Sequence, residues 1–141
     1  MRIAEVMTGH VAFIPPEAAV QEAAVMMGEL DIGGLPVGAE DDLIGIVTDR
    51  DILYRLVARG RDPARTRVRE VMTSPVIACA PDDTVEAVMD LMAAQHIRRA
   101  PVCEAAGRVL GWITLADLSR RLLLEDPALQ DRLRQLTEAP G

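Results

Sequence analysis

Ile32-Gly33-Gly34-Leu35-Pro36-Val37, followed by Gly45-Ile46-Val47-Thr48-Asp49-Arg50-Asp51, returns later in the chain as Ile97-Arg98-Arg99-Ala100-Pro101-Val102, followed by Gly111-Trp112-Ile113-Thr114-Leu115-Ala116-Asp117. The first part of the block recurs after 65 residues, as Met7-Thr8 does in Met72-Thr73, and the second part after 66. The chain is therefore two copies of one unit, with one residue inserted in the second. The division expected is residues 1–63 for the first copy, 64–126 for the second and 127–141 for a helical tail. A copy of about 60 residues has a marginal core by itself, so the two should pack together.

Outward from the block, each copy reads as the same series of elements. Residues 11–14 are a short extended run stopped by Pro15-Pro16, and Val20, Ala23, Ala24, Met27 and Leu30 follow at helical spacing. The second copy has an extended run at 75–78, then Pro81 and a helix expected to be capped by Asp82 or Asp83, with Val85, Val88, Met89 and Met92 on one face. Residues 35–38 and 43–47 read as paired strands around Glu40-Asp41-Asp42. Their counterparts are 100–103 and 109–113 around Ala105-Ala106-Gly107. Each Thr-x-x-Asp then opens a helix, with Ile52, Leu56 and Val57 answered by Leu118, Leu122 and Leu123. The unit is β-α-β-β-α and the fold class α/β (α+β), small mixed sheets flanked by helices. Asp126 caps and Pro127 starts the expected tail helix, which is assigned to packing or dimer contacts.

Composition narrows the chemistry. The chain of 141 residues carries a formal charge of −7, which opposes wrapping around a nucleic acid. Aromatics are 2%, Phe13, Tyr54 and Trp112, leaving almost no platform for stacking bases. All 15 cations are Arg, which removes Schiff-base chemistry and the Lys of a P-loop. Ser74 and Ser119 lie in no nucleophile-elbow pattern, and no catalytic residue is assigned. No run of 18 apolar residues and no signal-type h-region occurs, which reads as a cytoplasmic protein without a membrane partner. Cys79 and Cys103 read as buried reduced thiols, His10 and His96 as structural, and no metal site is expected. Arg59, Arg61, Arg65, Arg67 and Arg69 crowd the connector and read as a solvated loop partly neutralised by Asp62 and Glu70.

Thr48-Asp49-Arg50-Asp51 and Thr114-Leu115-Ala116-Asp117 each follow an apolar strand and open a helix. Backbone N–H groups at a helix start attract phosphate, a Thr hydroxyl can donate, and a carboxylate three residues on can accept two hydrogen bonds from a ribose diol. The same spacing is a capping box, and the pattern does not separate the two readings.

The repeated Pro-Val and Gly-x-x-Thr-x-x-Asp segments resemble a tandem pair of CBS domains, the Bateman module, over about residues 1–125. The resemblance implies two repeats packed with pseudo-two-fold symmetry, no catalysis and no required cofactor. It implies a regulatory module that binds an adenosine-containing ligand, AMP, ADP, ATP or S-adenosylmethionine, in clefts between the copies. Carried over by position, one cleft combines Thr48, Arg50 and Asp51 with Pro75, Val76, Arg98, Arg99 and Ala100; the other combines Thr114 and Asp117 with His10, Val11, Gly33, Gly34 and Leu35. Arg98-Arg99 offers forks for phosphate where Gly33-Gly34 offers room and backbone N–H groups, so the charged nucleotide is expected in the first cleft. The resemblance further implies a homodimer, and the signal is expected to pass to a separate, unidentified protein partner. The competing reading is a ligand-independent dimeric scaffold whose Thr-x-x-Asp segments are caps alone.

Overall fold

The computed structural model describes residues 1–124 together with 127, 128, 131, 134 and 135. The chain forms α1 (Val20–Leu30), β1 (Gly34–Ala39), β2 (Asp42–Thr48), α2 (Asp49–Ile52), α3 (Val85–Gln95), β3 (Arg99–Cys103), β4 (Val109–Thr114) and α4 (Leu115–Leu123), with α2 running on as a π-helical turn over Leu53–Val57. Short 3-10 turns at Ile3–Glu5 and Val68–Glu70 occupy the same place in each copy. Among the described residues no helix is long and apolar enough to cross a membrane. The cap expected at Asp126 lies outside the described residues.

β1 pairs antiparallel with β2 and β3 with β4, each hairpin bulging at matching places, Val37/Gly38 and Val102/Cys103. Gly38 has φ +121, and a Cβ there would stand 2.1 Å from the Asp42 carbonyl oxygen, so the bulge requires glycine. The first strand expected in each copy shrinks to one residue. Ile14 bridges Val37 in parallel, and Cys79 bridges Val102. Ile14 N–H donates to Pro36 O at 3.1 Å and Gly38 N–H to Ile14 O at 2.9 Å. Extending that ladder one step needs an N–H at Pro36 on one side or Pro16 on the other, and proline has none. Pro101 and Pro81 impose the same limit on Cys79.

The opposite edge of each hairpin is covered by the other copy's leading segment. Thr8 and Trp112 exchange N–H···O bonds of 2.9 and 2.9 Å, and Thr73 exchanges bonds of 2.7 and 3.0 Å with Ile46. The two cores therefore cross the chain division. One contains Ile14, Val20, Ala23, Leu35, Val37 and Val47 together with Val68 and Val71. The other contains Ile3 together with Val85, Val88, Ala100, Val102, Ile113 and Leu118. Gly45 and Gly111 make the crossing possible, since a Cβ would meet Met72 Sδ at 2.6 Å in the first case and Thr8 O at 2.7 Å in the second.

Local chemistry sets the helix ends. α1 and α3 both stop at a left-handed residue, Asp31 (φ 54) and His96 (φ 55), 65 positions apart. The α3 cap is Thr84, whose Oγ1 accepts from Ala87 N–H at 3.1 Å, and neither Asp82 nor Asp83 takes that role. Asp83 instead accepts from Ala80 N–H at 2.8 Å and closes the preceding turn. Among the described residues, four of the five connector arginines are paired: Arg61 with Glu70 at 2.6 Å, Arg65 with Asp62 at 3.8 Å, and both Arg67 and Arg69 with Glu17.

Ile3 is fully buried although it stands near the start of the sequence. Ile3→Ala should cost about 2–5 kcal/mol in denaturant unfolding, as a large-to-small change in the second core does. Burial pushes the Cys79 thiol up to about 11. Its neutral form is favoured by folding, so this contribution is complete below pH 9 and declines as pH rises from 9 towards 11. Alkylation with iodoacetamide at pH 8 should leave Cys79 unmodified in the folded protein and modify it after unfolding.

Candidate functional site

Antiparallel register brings the functional ends of both hairpins to one place. Gly34 stands opposite Thr48, and Arg99 opposite Thr114. The chain then turns into α2 and α4 with the preceding segments still attached, as Asp49 N–H donates to Gly33 O at 2.9 Å and Leu115 N–H to Arg98 O at 2.7 Å. Both Thr-x-x-Asp segments and both segments before Pro-Val thus lie at the same end of the sheets.

Each Thr-x-x-Asp forms its capping box. Asp51 N–H donates to Thr48 Oγ1 at 3.1 Å and Thr48 N–H to Asp51 Oδ2 at 3.0 Å. In the second copy the corresponding bonds are 3.1 and 3.3 Å. The surroundings of the two carboxylates then diverge. Asp51 is buried, 9% exposed, and its Oδ1 accepts from Thr73 Oγ1 at 3.0 Å. Arg55 lies 3.9 Å from the same oxygen and donates to the carbonyls of Val71 and Met72 at 3.0 and 2.7 Å. Asp117 is half-buried, has Arg120 as its ion partner, and receives no hydrogen bond from Thr8, the counterpart of Thr73.

The remaining expected residues do not all gather at this end. Leu35 and Ala100 are fully buried in the two cores, backbone and side chain alike. Arg50 is exposed and lies 5.3 Å from the Tyr54 ring centroid, a cation–π distance. Pro75 and Val76 follow Ser74, whose Oγ donates to the Ile44 carbonyl at 3.0 Å, and the chain bends at Pro75. His10 and Val11 run towards Leu110, away from Thr114, and line a cavity of about 330 Å³ with Phe13, Glu40 and Arg108. Arg108 closes one wall through Nε to Glu40 Oε1 at 2.8 Å. Arg98 is exposed.

Arg99 crosses between the copies. Its Nη1 lies 2.9 Å from the position of a Cβ on Gly33 and 2.7 Å from that of a Cβ on Gly34, so the room at the glycine pair is taken up by this side chain. Asp49 Oδ2 is 3.0 Å from the same Gly33 position. Sequence reading did not single out Asp49, Arg55 or Thr73. The repeat of Met7-Thr8 as Met72-Thr73 was the available signal: one threonine bonds Asp51, and both methionines face the glycines of the opposite copy. Among the described residues no three His, Cys, Asp or Glu side chains group as a metal site.

The CBS domain family model matches residues 3–58 and 68–124, and the chain belongs to this family as a tandem pair. It is 37% identical over 117 residues to the CBS domain-containing protein YhcV of Bacillus subtilis, covering 83% of this chain and 82% of that one. The hexameric CBS-CP12 protein from bloom-forming cyanobacteria superposes with a TM-score of 0.80 at 35% identity, covering 98% of this chain and 79% of its own. The CBS domain pair of protein MJ0100, solved with 5′-methylthioadenosine and S-adenosyl-L-methionine, superposes with a TM-score of 0.81 at 26% identity, covering 89% and 98%.

Thr73→Val removes a donor from the buried Asp51 carboxylate and should cost about 1–3 kcal/mol in equilibrium unfolding. Thr8→Val, at the exposed counterpart without that bond, should stay within about 0.5 kcal/mol.

Proposed function

We propose that this protein is a regulatory module that binds an adenosine-containing ligand between its two CBS copies and passes occupancy to a partner protein. The observation that carries the reading is the MJ0100 pair, which holds two adenosyl ligands on the fold this chain adopts. The convergence of Thr48, Asp51, Thr114 and Asp117 at one end of the sheets supports it, since each motif pairs a hydroxyl with a carboxylate at a helix start. Asp51 and Asp117 are assigned to the ribose diols. The first cleft takes Thr48, Arg50, Asp51, Pro75, Val76, Arg98, Arg99 and Ala100; the second takes His10, Val11, Gly33, Gly34, Leu35, Thr114 and Asp117. Signalling requires a ligand that binds two arrangements of the copies unequally.

A second reading, a homodimeric scaffold, draws on the exposed apolar residues of the first copy: Val25, Leu30, Leu53, Tyr54 and Val57 are each about half exposed or more. The hexameric assembly of the CBS-CP12 relative is in keeping with it.

Thermal unfolding with AMP, ADP, ATP and S-adenosylmethionine separates the two. A ligand at 100 times its dissociation constant should add about 2.7 kcal/mol to stability and raise the midpoint by several degrees. Asp51→Asn, which keeps the capping geometry, should weaken that ligand. No shift with any of the four at millimolar concentration favours the scaffold.

A further inference from the structure

Arg99 is half-buried, yet its Nη1 is fully buried and has no hydrogen-bond partner. No ion pair is formed by this arginine among the described residues, although Asp49 Oδ2 stands 3.0 Å from the same Gly33 Cβ position. A buried guanidinium nitrogen left unmatched is costly, and a bound anion would supply the acceptor it lacks. Its position is as informative as its lack of a partner. Arg99 starts β3 and stands opposite Thr114, while its guanidinium lies over Gly33 and Gly34, the second of which stands opposite Thr48. One side chain therefore reaches the strand ends of both copies.

We propose that Arg99 is shared between the two clefts, and that an anionic group bound in either one claims its guanidinium. The guanidinium edge that carries the unpartnered Nη1 can turn to a phosphate in one cleft at a time. Two charged adenosyl ligands then bind with negative coupling, whereas an uncharged adenosine in one cleft leaves Arg99 free for a phosphate in the other. The glycine pair is the structural condition for this sharing: a Cβ at residue 34 would stand 2.7 Å from Nη1 and 2.9 Å from Cδ. The inference rests on the proposed adenosyl clefts and adds to them a specific dependence on ligand charge.

Calorimetric titration with AMP and with adenosine tests it in two variants that each leave one cleft intact, Asp51→Asn and Asp117→Asn. Adding Arg99→Gln should weaken AMP at least about fivefold more than it weakens adenosine in both backgrounds, as loss of a charge-assisted contact to phosphate does. In the unsubstituted protein the second AMP should bind at least about fivefold more weakly than the first. Loss of AMP affinity in one background alone overturns the sharing and makes Arg99 the property of a single cleft. An equal loss for adenosine overturns it as well, because a disturbed fold does not distinguish ligand charge. If the unsubstituted protein binds neither ligand, the adenosyl reading itself fails, an outcome distinct from either of these.

Discussion

The exchange of leading segments between the copies is the constraint on which the rest of the structure depends. Thr8 bonds to β4 and Thr73 to β2, so each hairpin has its exposed edge closed by backbone from the other copy. The same exchange delivers Ile3 to one core and Val68 and Val71 to the other. A copy cut at the chain division would lose those side chains and an edge partner together. This explains at the level of packing why a unit of about 60 residues occurs here as a pair. Gly45 and Gly111 permit the close approach, and they recur in the sequence because the approach occurs twice.

The crossing also builds the candidate site. Because Thr73 arrives beside Asp51, the first carboxylate is buried, capped and hydrogen-bonded by the second copy's leading segment. The second carboxylate, with Thr8 in the matching place, carries a lighter set of contacts. The two motifs share the same register, but α2 runs on as a π-helical turn that carries Arg55 whereas α4 stays α-helical, and a different arginine reaches each carboxylate. Charge follows a different asymmetry: arginines stand at 98 and 99 where glycines stand at 33 and 34, and one arginine lies across the glycines.

Much of this was legible in the chain. The repeat of Ile-x-x-x-Pro-Val and Thr-x-x-Asp gives the two-copy organisation, the paired hairpins and the helix starts, and the capping boxes form at the residues their spacing indicates. The first strand of each copy is shorter than its apolar run suggests, a single bridge at Ile14 and at Cys79. Pro16, Pro36, Pro81 and Pro101 withhold the donors that a longer parallel ladder needs, and two of those prolines lie in the partner strand, not in the run itself. The α3 cap lies one or two residues beyond the expected Asp82 or Asp83 because Asp82, Asp83 and Thr84 are all good capping types and the start of the helix selects among them.

The sequence by itself determined the repeat, the local elements and the chemical types available at each helix start, because those depend on spacing, hydrophobic period and side-chain chemistry over a few residues. The tertiary structure alone decided which segment covers which hairpin and where Arg99 points. It also decided which carboxylate is buried against a threonine of the other copy. These are contacts between residues 22 to 104 positions apart, set by the crossing of the two copies, and no local pattern encodes the direction in which a chain crosses.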